Sequence, residues 1–261
     1  MSSVLIERNK LFSNSNMDLP LPIYQDYYPY EGINGSILLS SWESEVDCCR
    51  WKGIWCNNRT GSVITLNLNT YYHLRGKIDP LCELQYLEYL DLNYYNFEGQ
   101  RIPKCIGSLG HLTDLKLFSV GFVGSIPREL QNLSSLQTLD LSGNYLIAKD
   151  LQWLPHISSL RYLNLTGVDL SQAVDWLQSV NKIVPSLVEL QLRSCSIPKV
   201  NILSHINSST TLKVLDLSHN NLTSSTLSWV FNVSQNLIHL SLQYTRLQGP
   251  IPRSIRKYDF S

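Results

Sequence analysis

The stretch LQTLDLSGN, residues 136–144, alternates leucines with polar residues over a short extended run. In an extended chain successive side chains point to opposite faces, so Leu139 and Leu141 share one face and Thr138 and Asp140 the other. The same L-x-x-L-x-L spacing returns as LEYLDL (87–92), LTDLKL (112–117), LRYLNL (160–165), LVELQL (187–192), LKVLDL (212–217) and LIHLSL (237–242). An earlier copy, VITLNL (63–68), completes a series whose central leucines are Leu66, Leu90, Leu115, Leu139, Leu163, Leu190, Leu215 and Leu240, 24 to 27 residues apart. No single unit of this size can bury its own leucines. Eight copies in register bury them by stacking on one another.

This period and core are those of the leucine-rich repeat. The fold expected is an α/β-type solenoid of about eight repeats over 63–257, a right-handed superhelix. It has a concave parallel sheet and an irregular or short-helical convex side. Three residues past the second strand leucine the pattern wants a small hydrogen-bonding side chain that serves loop backbone. Asn144, Asn220 and Cys195 occupy that place, and Thr245 can serve there too. Cys195 is therefore read as a buried reduced thiol of this ladder rather than a reactive one. Tyr95, Val120 and Val168 break the pattern, so the ladder is expected to be interrupted in their units.

The chain of 261 residues carries 21 basic and 21 acidic side chains. A neutral balance argues against nucleic acid or an acidic membrane surface as partner, because both call for a basic field. No run approaches the ~20 apolar residues of a membrane span. The start, MSSVLIERNKLFSNSN, holds only a three-residue apolar run, Val4 to Ile6, so no secretory signal is read there.

Several units continue into G-x-I-P, as in FVGSIPREL (122–130), LQGPIPRSI (247–255) and the looser EGQRIPKCI (98–106). This resembles the plant form of the repeat. The front segment from Leu38 to Leu68 is similar to the N-terminal cap of plant receptor-like proteins. The run from Leu160 to Ile197 resembles the subgroup that includes ethylene-inducing-xylanase receptors, which sense microbial proteins at the cell surface. The resemblance implies an extracellular, plasma-membrane-surface module, no enzyme and no cofactor, that recognises a protein or peptide in defence or development. It also implies a receptor kinase co-receptor as partner and a membrane span beyond this stretch. On that reading residues 1–35 are an irregular arm, 36–62 a cysteine-containing cap and 258–261 a tail, the whole an N-terminal portion of a receptor. The alternatives are a secreted inhibitor of cell-wall-degrading enzymes, like the polygalacturonase-inhibiting proteins, or a non-functional truncated product.

In EVDCCRWKGIWCNN (45–58), the family pattern implies a bridge from Cys49 to Cys56, with Trp42, Trp51 and Trp55 covering the first open face. It pairs Cys48 with an upstream cysteine. None precedes Cys48 in the sequence, so Cys48 is expected to remain a thiol. Cys82 and Cys105 hold nearly equivalent places in consecutive units, and a bridge there is favoured over two reduced core thiols.

Sequons stand at Asn34, Asn58, Asn132, Asn164, Asn207, Asn221 and Asn232. Together they favour a secreted glycoprotein, with Asn132 and Asn232 on the returning side and Asn164 projecting from the concave sheet. Asp216, His219, His239 and Ser241 lie on or beside neighbouring concave strands, but an open sheet offers them no sheltered oxyanion site. No metal spacing, phosphate loop or dinucleotide fingerprint occurs. Binding fits better. Against small or polar concave positions such as Thr65, Asn67, Asp140, Ser142 and Ser218 stand Tyr89, Tyr94, Lys116, Phe118, Tyr162, Glu189, Arg193, His219, His239 and Tyr244. Aromatics and arginine dominate interface energetics, and Tyr89, Tyr94, Lys116 and Phe118 are expected to form one patch.

Overall fold

A computed structural model describes residues 47–69, 79–97, 99–200 and 203–247. The expected arm (1–35), the front of the cap with Trp42, the sequon at Asn34 and the tail (258–261) lie outside the described residues. One sheet carries nine strands: β1 (Ile54–Cys56), β2 (Val63–Asn67), β3 (Tyr89–Asp91), β4 (Asp114–Lys116), β6 (Thr138–Asp140), β8 (Tyr162–Asn164), β9 (Glu189–Gln191), β10 (Val214–Asp216) and β11 (His239–Ser241). All neighbours from β2 onward are parallel, and the eight central leucines sit side by side in one register. β1 pairs antiparallel with β2 and covers the front edge.

A second, two-stranded parallel sheet, β5 (Val123–Ser125) with β7 (Tyr145–Ile147), forms on the way to the convex side. The convex returns use short 3-10 turns, among them Asp79–Glu83, Lys104–Ser108, Arg128–Asn132 and Leu154–His156. Two units insert α-helices instead, α1 (Trp176–Ile183) and α2 (Ser224–Val233). α1 occupies the longest spacing, the 27 residues from Leu163 to Leu190. Trp176 and Trp229 are fully buried there, and each indole N–H is satisfied, by Pro198 O at 3.2 Å and by Asn181 Oδ1 at 3.2 Å.

From β3 onward the strands of the nine-stranded sheet are three residues long because a turn stops each one at the same place. Asp91, Asp140, Asn164 and Asp216 each accept, through Oδ1, the backbone N–H two residues on, at 2.8–3.2 Å. Three residues after each of these strands ends the chain turns left-handed, at Tyr94 (φ 65), Ser119 (φ 53), Gly143 (φ 68), Gly167 (φ 82), Ser194 (φ 54), His219 (φ 56) and Tyr244 (φ 53). Side-chain-to-backbone bonds of this Asx kind are what offer the chain an alternative to continuing a strand. This corrects two expected concave positions. Ser142 and Ser218 are 3% and 0% exposed, because the strand has ended before them and alternation no longer turns them outward.

The asparagine ladder is satisfied in detail. Asn144 accepts from the N–H groups of Val120 and Phe122 and donates to the carbonyls of Leu117, Leu141 and Ser142. Asn220 serves Cys195, Ile197, Leu192, Leu217 and Ser218 in the same way. Where the next unit lacks asparagine, backbone takes over: Phe97 N–H donates to Val120 O, Leu170 to Cys195 O and Leu222 to Thr245 O. A second ladder runs along the other side of the strands. Ser159, Ser186 and Thr211 each donate a hydroxyl bifurcated between two carbonyls, both in the preceding unit for Ser159 and Thr211 and one of them there for Ser186.

Candidate functional site: the concave face

Eight parallel strands give seven spacings of about 4.8 Å, hence a concave face of roughly 34 Å. Its outward columns follow from the register. One reads Thr65, Tyr89, Asp114, Thr138, Tyr162, Glu189, Val214, His239, and the next Asn67, Asp91, Lys116, Asp140, Asn164, Gln191, Asp216, Ser241.

The β3–β4 end is built. Tyr89 donates its hydroxyl to Asp91 Oδ2 at 3.1 Å, and Lys116 Nζ donates to the Tyr89 oxygen at 3.1 Å while lying 5.0 Å from the ring centre. Asp91 is 1% exposed and also accepts from Asn69 Nδ2 and Asn93 N, so its buried charge is met on every side. Burial raises the Tyr89 phenol above its usual range, against the pull of the Lys116 hydrogen bond. Burial works against the Lys116 charge, yet Tyr89, Asp91 and Asp114 outweigh it and hold its pKa above the ordinary lysine value. Beside this trio, Tyr94 and Phe118 meet edge to face with ring centres 5.0 Å apart. The Phe118 N–H is fixed by Asn93 Oδ1 at 2.7 Å. Gly143 is what lets the Phe118 ring lie against the next unit, since a Cβ there meets Phe118 Cε2 at 3.0 Å. The four residues read as one patch thus form two adjoining pairs.

Further along, Tyr162 projects from β8 and Glu189 from β9, where the Glu189 carboxylate accepts from Gln191 Nε2. Arg193 is exposed near them, and the described residues give it no ion pair. At the far end the His219 and Tyr244 rings lie 4.6 Å apart, with His239 exposed on β11. Asp216 spends Oδ1 on the Ser218 N–H, and among the described residues no hydrogen bond joins either histidine to Asp216 or Ser241. The four are not assembled as a nucleophilic site.

Asn164 uses its amide fully. It donates to Asp140 Oδ2 at 3.3 Å and Ser142 Oγ at 3.2 Å, and accepts from Thr166 N. Asn207 likewise donates to Asn181 O at 2.7 Å. Asn58, Asn132, Asn221 and Asn232 are exposed.

At the front, Cys49 is joined to Cys56, seven residues on, and Asp47 caps the turn Cys48–Arg50 by accepting from Cys49 N at 3.1 Å. Trp51 is buried over the first leucines, but Trp55 is 54% exposed, a correction to its expected role as cover: in β1 it alternates outward while Ile54 points in. Cys48 is buried and outside both bridges. Asp47, Cys48 and Cys49 converge within 4.8 Å, yet the Cys49 sulfur is already spent on Cys56, so the trio is no metal centre. Cys82 is joined to Cys105, stitching the convex turns of two consecutive units. Cys195 is buried, donates Sγ–H to Leu165 O at 3.1 Å, and burial pushes its thiol up to about 12.

The family described as leucine rich repeat N-terminal domain matches residues 30–57, and leucine rich repeat matches 135–157 and 211–233. The chain is 44% identical over 233 residues to "Receptor-like protein EIX1" of Solanum lycopersicum, covering 82% of this chain and 22% of that protein. It is 45% identical to "Receptor-like protein EIX2" of the same plant with the same coverage. The chain thus spans about a fifth of the length of these curated relatives. Among solved structures, the ectodomain of the Arabidopsis receptor kinase HAESA, in complex with an IDA peptide hormone, matches with TM-score 0.69 and 25% identity over 100% of this chain and 42% of that one. The GASSHO1/SCHENGEN3 ectodomain with CASPARIAN STRIP INTEGRITY FACTOR 2 matches with TM-score 0.64 and 25% identity, over 94% and 30%. No helix among the described residues is long and apolar enough to cross a membrane.

Proposed function

We propose that this leucine-rich-repeat chain, whose sequence relatives are plant receptor-like proteins, is the ligand-recognition part of such a receptor. Its ligand is a protein or peptide lying along the concave face, outside the cell, and a receptor kinase acts as its signalling partner. The observation that carries this reading is the β3–β4 patch. There an edge-to-face Tyr94–Phe118 pair adjoins the Tyr89–Lys116–Asp91 trio on an open sheet. Aromatic anchors beside a satisfied charge are the composition of binding hot spots. An open face of roughly 34 Å suits about ten extended residues rather than an enclosed small molecule. Two bridges and four exposed sequons agree with an oxidising, glycosylating route.

The test uses an ethylene-inducing xylanase, the ligand class implied by the subgroup resemblance, as probe on the immobilised full chain. Tyr94→Ala combined with Phe118→Ala is expected to weaken binding about thirtyfold, a loss typical of hot-spot pairs, with an unchanged circular dichroism spectrum. Binding that survives this pair undiminished places the ligand elsewhere and sinks the reading.

A further inference from the structure

Away from the concave face, where β5 and β7 meet the turns Lys104–Ser108 and Arg128–Asn132, lies a groove of about 410 Å³. That is within the size range of ligand sites. Its apolar lining, Ile102, Ile126 and Trp153, is almost wholly buried, at 4%, 7% and 2% exposure. What a visitor meets is charge: Arg101, Lys104, Arg128 and Lys149 are all exposed.

Two carboxylates answer these four cations. Glu129 lies 3.2 Å from Lys104, and Asp150 lies 2.5 Å from Arg128. Arg101 and Lys149 have no carboxylate partner among the described residues, so the groove holds two positive charges in excess in a chain whose net charge is zero. Arg101 is also pre-placed. Its stem lies along Gly124, where a Cβ would stand 3.5 Å from Arg101 Cγ and 3.4 Å from Nε. An arginine already held loses less freedom on binding.

We propose that this groove is a second binding site, distinct from the concave face, that takes an acidic segment of a protein partner with its carboxylates on Arg101 and Lys149. Charge complementarity selects the acidic partner. The buried indole of Trp153 selects peptide over acidic sugar, because among the lining residues no exposed aromatic face is offered for a ring to stack on. Since the groove lies off the sheet, it can be filled while the concave face is occupied.

Fluorescence anisotropy on the full chain tests this with a labelled hexaglutamate peptide as probe. Hexaglutamate is expected to bind and hexaglutamine not, and binding should weaken steadily as salt rises. Arg101→Glu with Lys149→Glu, both exposed and outside every ion pair given by the structure, should lower affinity at least about tenfold without moving the melting temperature. The concave pair Tyr94→Ala and Phe118→Ala should leave hexaglutamate affinity unchanged, which separates this site from the function proposed above. Failure to bind hexaglutamate at millimolar concentration overturns the proposal, as does equal affinity for hexaglutamine. Indifference to the charge reversal overturns it too, as does equal loss in the concave variant. A tetragalacturonate that displaces the peptide at equal or lower concentration removes the protein segment as the occupant.

Discussion

At the residue scale, Asn144 and Cys195 hold the same repeat position and do different amounts of work. Asn144 Oδ1 is the acceptor for two buried N–H groups, those of Val120 and Phe122, and Nδ2 feeds three carbonyls. Asn144→Ala orphans both donors, and each buried unpaired group costs about 1–3 kcal/mol, so a loss of about 3 kcal/mol is expected in urea unfolding. Cys195 offers one S–H, shared between Leu165 O and Arg193 O, while its own carbonyl takes the Leu170 N–H. Cys195→Ala should therefore cost about 1 kcal/mol. A ladder that mattered little would give the two variants equal stability. The thiol also sets a pH dependence. Burial raises it from 9.0 to about 12, so between those values the folded chain keeps a proton that the unfolded chain has released. Stability from this group is thus intact below pH 9 and falls as pH rises toward 12. Melting temperatures of wild type should drop more steeply over that range than those of Cys195→Ala. Iodoacetamide at pH 8 should leave Cys195 unmodified until denaturant is added.

At the element scale, the close approach of successive convex turns depends on Gly107. A Cβ there stands 2.3 Å from Glu129 O and 2.7 Å from Glu129 C, both backbone atoms that no side-chain rotation can move. Gly107→Ala must push the turn Lys104–Ser108 off Arg128–Asn132, at about 1–3 kcal/mol for overpacking. Gly110→Ala, three residues on, has nothing within 4 Å of the added carbon and should be neutral or slightly stabilising in thermal melts. Equal destabilisation by both would mean that glycine's flexibility, not the contact, is what the turn needs. Such contacts explain which parts of the fold were legible. The strand register was readable because leucine periodicity states it outright, and the Asn144 and Asn220 ladder because the motif has a fixed offset. The left-handed turn at Tyr94 and Tyr244 was not, since bulky residues are uncommon at positive φ. Nor was the burial of Ser142 and Ser218, which depends on where the Asx bond ends the strand. The hydroxyl ladder of Ser159, Ser186 and Thr211 hid among ordinary polar residues, although its constant place just before each unit's first leucine was a usable signal. Of the concave site, the residue types and columns were legible. Their pairing into Tyr89–Lys116 and Tyr94–Phe118 required side-chain geometry, and the cationic groove draws on residues spread from 101 to 153.

At the scale of the whole molecule, each unit touches mainly its neighbours, the Trp229–Asn181 bond between the two convex helices being one that reaches past a unit, so stability is approximately a chain of local interfaces rather than one shared core. The bridge from Cys82 to Cys105 and the ion pairs Lys104–Glu129 and Arg128–Asp150 fasten four consecutive convex returns in sequence. They secure the same units that present Tyr89, Tyr94, Lys116 and Phe118 on the other side. Removing the bridge with Cys82→Ala and Cys105→Ala frees a loop of 23 residues, which in the chain-entropy account loses about 3 kcal/mol. In a nearest-neighbour solenoid that loss stays local. Amides of β3 and β4 should exchange with deuterium up to about a hundredfold faster, while those of β9 and β10, separated by several interfaces, keep their wild-type protection. A uniform loss of protection from β2 to β11 would instead show one cooperative body. The position of the change bears on recognition as well: if only β3 and β4 loosen, a ligand held by the aromatic patch should lose affinity in the same variant although no residue facing it has changed.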